Sequence, residues 1–247
     1  MNSNLLMPIV EGNHEAPVFI IPSAGSTPLA LFQLARSLPS KRPVYSFMFA
    51  GMEDQRKPYG KVEDMAYEYV AEMMKVQDAG PYYISGHCFG GNVAHAMAIV
   101  LEAGGSKVGL LALLEVIPPL VDEVASGQKL NGPATQYSKE TRAAIDGSFR
   151  QIEQQISQLP NKHQDHFSAV TRHYMGIGNT FRPVAIDAPI FQLRSTVYPA
   201  SIYQDWKYFS RASYSEKLIP GDTYSMLTPP DVETTGATLD NTIFEFY

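Results

Sequence analysis

Short apolar segments alternate along this chain with longer segments in which apolar residues recur every three or four positions. The apolar segments are PVFIIP (17–22), PVYSFMF (43–49), YYISG (82–86), KVGLLALLE (107–115) and APIFQLR (188–194). Each has the length of a strand and few polar residues, which is typical of strands buried on both faces of a parallel sheet. Such strands, alternating with helices, predict an α/β fold.

The intervening segments have the period of amphipathic helices. LALFQLARSL (29–38) follows the first predicted strand, and a helical segment over 91–103 follows the third. In residues 62–77 the apolar side chains fall on one helical face, which we expect to pack on the core. The members of that face are Val62, Met65, Ala66, Tyr69, Val70, Met73 and Met74.

The pattern changes between about residues 118 and 183, where the sequence is polar, has a helical period and lacks strand signals. We interpret this stretch as a helical insertion that covers the sheet as a lid. SYSEKLIPGD (213–222) contains the last predicted strand, and residues 229–246 close the chain without a predicted element. The length predicts one domain over residues 1–247.

Composition and charge narrow the classes of partner. The net charge is -6 and comes from scattered acidic residues, so we expect no nucleic-acid partner and no membrane-surface partner. Residues 1–17 lack the basic segment of a secretory signal, and no apolar run reaches the length of a membrane span. Cytoplasmic residence is the resulting expectation. Because Cys88 is the single cysteine, we predict no intrachain disulfide and no bound metal.

The third predicted strand meets its helix across GHCFG (86–90). A strand, a tight glycine-flanked turn and a helix form the G-x-S-x-G nucleophile elbow, here with cysteine in place of serine. Cys88 is therefore the candidate nucleophile, and the positive end of the following helix should lower its pKa. The Phe89 N–H would supply half of an oxyanion hole, and Ala24 in the loop PSAGS (22–26) would supply the other half.

Several segments together resemble the thioesterase domains that release products from non-ribosomal peptide and polyketide synthases. The segments, spread over nearly the whole chain, are PVFIIPSAGSTPLALFQLARSL, RPVYSF, GPYYISGHCFGGNVAHAMAIVLEAGGSKVGLLALLEVIPP and LIPGDTYSMLTPPDV. The resemblance implies an α/β-hydrolase fold with a helical lid. It also implies an acyl substrate held on the phosphopantetheine arm of an acyl- or peptidyl-carrier protein, a small-molecule acyl acceptor, and no cofactor of the chain's own.

The same resemblance places the acid of the site at Glu115, in LLEVIPP (113–119). It places the site's histidine at Thr223, in PGDTYSML (220–227), so this sequence departs from the family at that position. Threonine cannot accept a proton at neutral pH, and the base is therefore missing. We expect Glu115 either to orient a substrate amine or to hydrogen-bond Thr223.

Six histidines lie elsewhere in the chain. Three of them lie outside the predicted lid. We expect His14 at the surface, His87 in the substrate pocket and His95 in the packing of the elbow helix. The predicted lid contains His163, His166 and His173. Of these, His173 is the best placed by sequence to reach Cys88 as a substitute base.

The cysteine and the threonine are chemically consistent with each other. A serine without a base is almost inert, whereas a cysteine is partly thiolate at neutral pH even without one. Loss of the base should slow hydrolysis more than acylation, because the attacking water must also lose a proton. Three hypotheses follow: an acyltransferase or condensing enzyme that passes the acyl group on Cys88 to a nucleophile, a hydrolase with a lid base, and a catalytically silent carrier-binding relative.

Overall fold

The computed structural model describes residues 5–120 and 136–246. A seven-stranded sheet lies at its centre, in the strand order β1-β3-β2-β4-β5-β6-β7. The strands are β1 Leu6–Val10, β2 Val18–Ile21, β3 Val44–Phe47, β4 Tyr82–His87, β5 Val108–Leu114, β6 Ile190–Ser195 and β7 Tyr214–Ile219. Strand β1 pairs antiparallel with β3, and the other neighbouring strands pair in parallel. The mostly parallel sheet predicted from the apolar segments is confirmed.

Helices flank the sheet on both sides. The α-helices of the described residues are α1 Phe32–Ser37, α2 Val62–Met73, α3 Phe89–Ala103, α4 Lys139–Ile156, α5 Asn161–Thr180 and α6 Asp231–Glu245. Short 3₁₀ helices span Pro28–Leu31, Ala200–Ile202, Gln204–Phe209 and Ser225–Leu227. No helix within 5–120 and 136–246 is both long and apolar enough to cross a membrane.

Each face of the sheet has its own apolar core, because successive side chains of a strand point to opposite faces. On one side β2 buries Phe19 and Ile21 in the core that includes α2 and α3. On the other side β2 buries Val18 and Ile20 in the core that includes α1 and α6. A strand buried on both faces has no polar face, which explains why the apolar segments show no alternation.

Two elements lie where the sequence pattern predicts none. Strand β1 contains Pro8 and forms an edge of the sheet, where a residue without an N–H is tolerated. The register of its pairing shifts between Pro8 and Val10. The second element is α6, whose buried face includes Thr235 and Thr238 among apolar residues. Polar residues on a buried face weaken the apolar period by which a helix is recognised.

The other predicted strands and helices are confirmed to within a few residues. The predicted core-facing side of α2 is confirmed from Val62 to Met73 but is wrong at Met74, which is 42% exposed. The helix ends at Met73, so Met74 lies where the chain leaves the helical path.

Helices α4 and α5 confirm the helical insertion predicted over about 118–183, of which 121–135 lie outside the described residues. Side chains of α5 donate hydrogen bonds to backbone carbonyls of the segment between β3 and α2. These bonds run from Tyr174 Oη to Ala50 O at 2.6 Å, from His166 Nε2 to Gly51 O at 2.8 Å and from His173 Nε2 to Tyr59 O at 2.6 Å. These bonds attach helix α5 of the lid directly to the segment between β3 and α2.

A buried ion pair attaches α6 to the segment that precedes β3. Arg42 Nε donates to Asp240 Oδ1 at 2.9 Å, and the two side chains are 0% and 1% exposed. The Asp240 carboxylate also accepts hydrogen bonds from the N–H and the hydroxyl of Ser40, at 2.6 and 2.7 Å. The carboxylate is thus both neutralised and hydrogen-bonded, which is what allows a charge to be buried.

We expect Asp240→Ala to lower the free energy of unfolding by about 3–5 kcal/mol, because the Arg42 charge would remain buried without a partner. Urea unfolding at neutral pH measures the loss. The matched control is Glu153→Ala, which breaks the exposed Arg172–Glu153 pair (2.7 Å) and should cost less than about 1 kcal/mol. Equal losses in the two variants would contradict a structural role for the buried pair.

Candidate active site

Cys88 lies at the turn between β4 and α3, with φ 51° and ψ -123°. A residue other than glycine rarely adopts a positive φ, so the surrounding structure must hold the turn in place. The Cys88 N–H donates to Leu114 O, and the Gly91 N–H donates to Cys88 O, both at 2.9 Å. The strand–turn–helix geometry predicted for GHCFG (86–90) is confirmed.

Three glycines allow α3 to approach the strand ends closely. A Cβ atom on Gly86 would lie 2.3 Å from Gly90 O, and one on Gly90 would lie 2.3 Å from Ile21 O. A Cβ atom on Gly91 would lie 2.4 Å from a methyl carbon of Val116. These distances are shorter than van der Waals contact, so a side chain at any of the three positions would push the helix away from the sheet.

Burial raises the pKa of the Cys88 thiol to about 11. A hydrogen bond from the Phe89 N–H, the first of α3, lowers this pKa, and the charge of Glu115 raises it further. The expectation that the helix N-terminus makes Cys88 a ready thiolate is therefore wrong. The N–H at the helix start acts in the expected direction, but removing the sulfur from water has the larger effect.

Glu115 directly follows β5, adopts φ 53° and is 5% exposed. Its carboxylate accepts hydrogen bonds from the Ser195 N–H at 2.5 Å, from the Ser195 hydroxyl at 2.9 Å and from the Tyr203 hydroxyl. Burial raises the pKa of Glu115, and these hydrogen bonds oppose the increase. The expectation of a hydrogen bond between Glu115 and Thr223 is wrong, because the carboxylate accepts its hydrogen bonds from Ser195 and Tyr203 instead. Orientation of a substrate amine by Glu115 stays a prediction.

Ser195 and Tyr203 are site residues that the sequence prediction missed. Ser195 ends β6, the strand that pairs with β5, so its position beside Glu115 could have been inferred from two polar residues at neighbouring strand ends. Tyr203 lies between two short 3₁₀ helices and carries no local sequence signal that would place it at the site.

Thr223 is 1% exposed, and its hydroxyl has no hydrogen-bond partner among the described residues. Its carbonyl accepts a hydrogen bond from His87 Nε2 at 2.6 Å. The expectation that His87 lines the substrate pocket is wrong: the ring is 1% exposed, and burial lowers the pKa of His87 to about 4. His87 is thus a neutral structural donor to the segment that carries Thr223.

Tyr224 follows Thr223 in the segment after β7. Burial raises the pKa of Tyr224, and a negative charge on Cys88 raises it further, so the two groups interact electrostatically. The Tyr224 ring meets the His87 ring edge-on at a centroid distance of 6.0 Å. Its hydroxyl is buried and unpartnered within the described part of the chain. Within this segment, Tyr224 is therefore the residue that interacts electrostatically with Cys88.

Cys88 and Glu115 line the same cavity, which has a volume of about 80 Å³ and opens to solvent. Its walls come from α3, α4, α5 and the segment that follows β6. The neutral polar side chains that line it are Asn92, Tyr137, Ser148, Asn179, Tyr198 and Tyr203. Glu115 is the one charged side chain among the described lining residues. The cavity therefore joins the elbow, the candidate acid and the lid.

The two predicted oxyanion-hole residues differ in their relation to this cavity. Phe89 lines it, and the Phe89 N–H at the start of α3 lowers the pKa of Cys88. Ala24 is 1% exposed and lies in the turn after β2, which is closed by a 3.1 Å hydrogen bond from Ser26 N to Ser23 O. Ala24 is not among the residues lining the cavity. The role of both N–H groups in binding an oxyanion stays a prediction.

None of the lid histidines lines the cavity. His173 is exposed and donates to Tyr59 O, so the hypothesis that it acts as a substitute base on Cys88 is wrong. His166 donates to Gly51 O, and His163 is exposed. The lid histidines that are hydrogen-bonded serve to attach α5 to the sheet, because their ring nitrogens are directed at backbone carbonyls.

His95 and His14 lie where the sequence predicts them. His95 is 0% exposed and packs against Trp206 and Phe209, at ring distances of 5.3 and 6.0 Å. Burial lowers the pKa of His95 to about 3, so its ring is neutral at physiological pH. His14 is exposed. The packing role of His95 and the surface position of His14 are confirmed.

The mostly parallel sheet, the strained turn that presents Cys88 and the helical lid define an α/β-hydrolase with cysteine at its elbow. A family model described as Thioesterase domain matches residues 16–228. The chain belongs to the thioesterase domain family. The resemblance inferred from the sequence is therefore confirmed at the level of the family.

Relatives and solved structures agree with this assignment. The chain is 30% identical over 115 residues to a dimodular nonribosomal peptide synthase of Bacillus subtilis, covering 47% of this chain and 5% of that protein. It is 30% identical over 119 residues to atromentin synthetase nps3 of Serpula lacrymans, covering 48% of this chain and 12% of that protein. The chain thus spans a small part of the length of these relatives.

Among solved structures, the fold is similar to that of the Vlm2 thioesterase domain, with a TM-score of 0.71, 22% identity and 96% of each chain covered. It is also similar to the RedJ thioesterase from the prodiginine biosynthetic pathway in Streptomyces coelicolor. The TM-score there is 0.71 at 17% identity, with 92% of this chain and 89% of that chain covered.

We expect the alkylation of Cys88 by iodoacetamide to rise about tenfold per pH unit from pH 7 to pH 10, because only the thiolate reacts and its pKa is raised. The rate is followed by intact-protein mass. The same chain unfolded in urea is the control, and its rate should level off near the ordinary thiol pKa of about 8.5. A native rate that levels off below pH 8 would mean that the helix N-terminus, not burial, has the larger effect on the pKa of the thiol.

Proposed function

We propose that this chain is an acyltransferase that takes an acyl group from a carrier-protein or pantetheine thioester onto Cys88. The acyl group then passes to an amine, or to a nucleophile within the same acyl chain. The observation that carries the proposal is the placement of Cys88 in a strained elbow on a cavity that it shares with Glu115. Relatives named as nonribosomal peptide synthetases support a carrier-bound acyl donor.

The first step exchanges one thioester for another. The Cys88 sulfur bonds to the acyl carbon, the bond from that carbon to the pantetheine sulfur breaks, and the thiol proton of Cys88 ends on the released pantetheine thiol. Two alkyl thioesters are similar in energy, so this exchange needs no large driving force. The Phe89 N–H, which follows Cys88 at the start of α3 and lowers its pKa, is the candidate donor to the oxyanion of the tetrahedral intermediate.

The second step restores the thiol. The amine nitrogen bonds to the acyl carbon, the Cys88 sulfur leaves, and the proton lost by the amine is delivered to that sulfur. Glu115 is suited to carry this proton, because it lines the same cavity and burial raises its pKa. Ser195 and Tyr203 hold the carboxylate in one orientation for that transfer.

Water is a poor acceptor in this arrangement. A water molecule must lose a proton as it attacks, and no histidine is among the described residues that line the cavity. An amine is a stronger nucleophile and attacks a thioester without prior deprotonation. The cavity therefore favours transfer or cyclisation over hydrolytic release.

We expect incubation with an acyl-pantetheine thioester at pH 8 to add the mass of the acyl group to the chain, and Cys88→Ala to abolish the adduct. Adding an amine should then discharge the parent adduct. Glu115→Gln should slow this discharge more than it slows acylation, because the amine must lose a proton only in the second step. Equal slowing of both steps would mean that Glu115 acts before the acyl-enzyme forms.

One observation favours a second candidate, a catalytically silent carrier-binding relative. The raised pKa of Cys88, about 11, leaves little thiolate at neutral pH. The mass experiment repeated at pH 9.5 separates the two candidates, because a reactive elbow should acylate faster as thiolate accumulates. A parent chain that carries no adduct at either pH, while the unfolded chain does react, would support the silent relative and overturn the acyltransferase.

We expect Thr223→His combined with Tyr203→Phe to raise hydrolysis of the acyl thioester about tenfold or more, which is the roughly 10²–10⁴-fold effect of a positioned base reduced by an imperfect fit. The imidazole supplies the base that water requires, and loss of the Tyr203 hydroxyl frees a Glu115 oxygen to hold it. Thr223→His alone should gain less, because Tyr203 still occupies that oxygen. Free acid is measured for both, with Tyr203→Phe alone as the control.

If the double variant folds and acylates normally yet releases no more acid than its control, residue 223 does not face Cys88. Thermal unfolding of each variant checks folding, since Thr223 is buried and histidine is larger.

A further inference from the structure

Helix α5 of the lid makes close contacts beside both residues that are predicted to form the oxyanion hole. A Cβ atom on Gly25, the residue after Ala24, would lie 2.6 Å from Thr171 Oγ1 and 2.9 Å from Thr171 Cγ2. A Cβ atom on Gly178 would lie 2.8 Å from Cδ2 and 3.0 Å from Cε2 of the Phe89 ring. Helix positions seven apart lie on one face. One face of α5 therefore contacts both the Ala24 turn and the Phe89 side chain.

The Phe89 ring has little freedom to move at this contact. It is 6% exposed and packs against Phe49 and Tyr174, at ring-centroid distances of 5.8 and 5.9 Å. Those two rings pack on each other at 5.0 Å, and the Tyr174 hydroxyl donates to Ala50 O at 2.6 Å. Because these neighbours enclose the ring, the position of the Phe89 backbone depends on the distance between α3 and α5.

The contact at Gly25 is a fit of shapes. Gly25 has a φ of 78°, which residues with a side chain rarely adopt, and its missing Cβ lets Thr171 lie against the backbone of the turn. Thr171 is 1% exposed, and its hydroxyl has no hydrogen-bond partner among the described residues. Ile152 of α4 closes the same place, since its Cγ2 atom would lie 3.1 Å from the added Cβ. The turn therefore has no room to move toward the lid.

We propose that helix α5 sets the spacing of the oxyanion hole, and that Thr171 and Gly178 are the positioning residues through which it does so. The inference rests on the proposed function, because it concerns the oxyanion of the acylation step. Both contacts belong to one helix, so a change at either one shifts the Ala24 turn relative to the Phe89 N–H. The oxyanion is then stabilised only while the lid is packed on both the turn and the elbow.

The test compares two reactions of Cys88, of which only one needs the oxyanion hole. Acylation by an acyl-pantetheine thioester passes through an oxyanion, whereas iodoacetamide is attacked at a saturated carbon, loses iodide and forms none. We expect Gly178→Ala to lower the ratio of the acylation rate to the alkylation rate about tenfold or more, because losing one oxyanion donor typically costs roughly 10²–10³-fold and a displaced donor costs less. Alkylation itself should change less than about threefold, because the burial that most affects the pKa of Cys88 is kept.

Gly176→Ala is the matched control, because it makes the same substitution on the same helix where a Cβ atom would meet no neighbouring group within 4 Å. It should leave the ratio unchanged. At the other contact, Thr171→Val keeps the shape of the side chain and should keep the ratio, whereas Thr171→Leu extends toward Gly25 and should lower it. Thermal unfolding checks that each variant folds, and the Thr171 pair decides the matter if Gly178→Ala does not fold.

Equal ratios in Gly178→Ala and Gly176→Ala, or in the two Thr171 variants, would overturn the inference. If the parent chain never acylates, the proposed function fails, and amide NMR spectra of the isotope-labelled chain still test the inference. The Ala24 N–H signal, which lies about two helical turns along α5 from the substitution, should then shift in Gly178→Ala and stay in place in Gly176→Ala. An Ala24 signal that stays in place in both variants would overturn the inference as well.

Discussion

The close approach of α3 to the strand ends is the constraint on which the rest of the site depends. Gly86, Gly90 and Gly91 leave no space for a side chain between the helix and the strands. At this distance the chain can turn through a positive φ at Cys88 while its N–H still bonds to Leu114 on the neighbouring strand. The turn is strained in itself and persists because the packing of the whole helix holds it. The same packing directs the first N–H of α3 at the sulfur.

Burial then decides the electrostatics of the site. The helix N-terminus lowers the pKa of Cys88, but desolvation and the nearby carboxylate of Glu115 raise it more. The carboxylate is in turn stabilised by neutral donors, Ser195 and Tyr203, and not by an imidazolium. In the proposed function, this thiol and carboxylate move one proton between the sulfur and an incoming amine. This pair is poorly suited to activating water, which needs a base held for that purpose.

The lid histidines have a structural role, although the sequence position of His173 suggested that it could act as a base. His166 and His173 lie on α5, but each directs a ring nitrogen at a backbone carbonyl of the segment between β3 and α2. Together with the Tyr174 hydroxyl, these rings attach the lid to that segment. The attached lid forms part of a cavity whose described walls are largely apolar and also carry neutral polar groups and one carboxylate.

The sequence by itself determined the sheet, the flanking helices, the elbow at Cys88 and the strand-end position of Glu115. These follow from short-range periodicity and glycine spacing, which report on a residue's own neighbours along the chain. Only the tertiary structure decided what surrounds them. Ser195 and Tyr203 reach Glu115 from 80 and 88 positions away. The raised thiol pKa likewise depends on burial by residues that no local pattern brings together, because desolvation sums over every group packed around the sulfur.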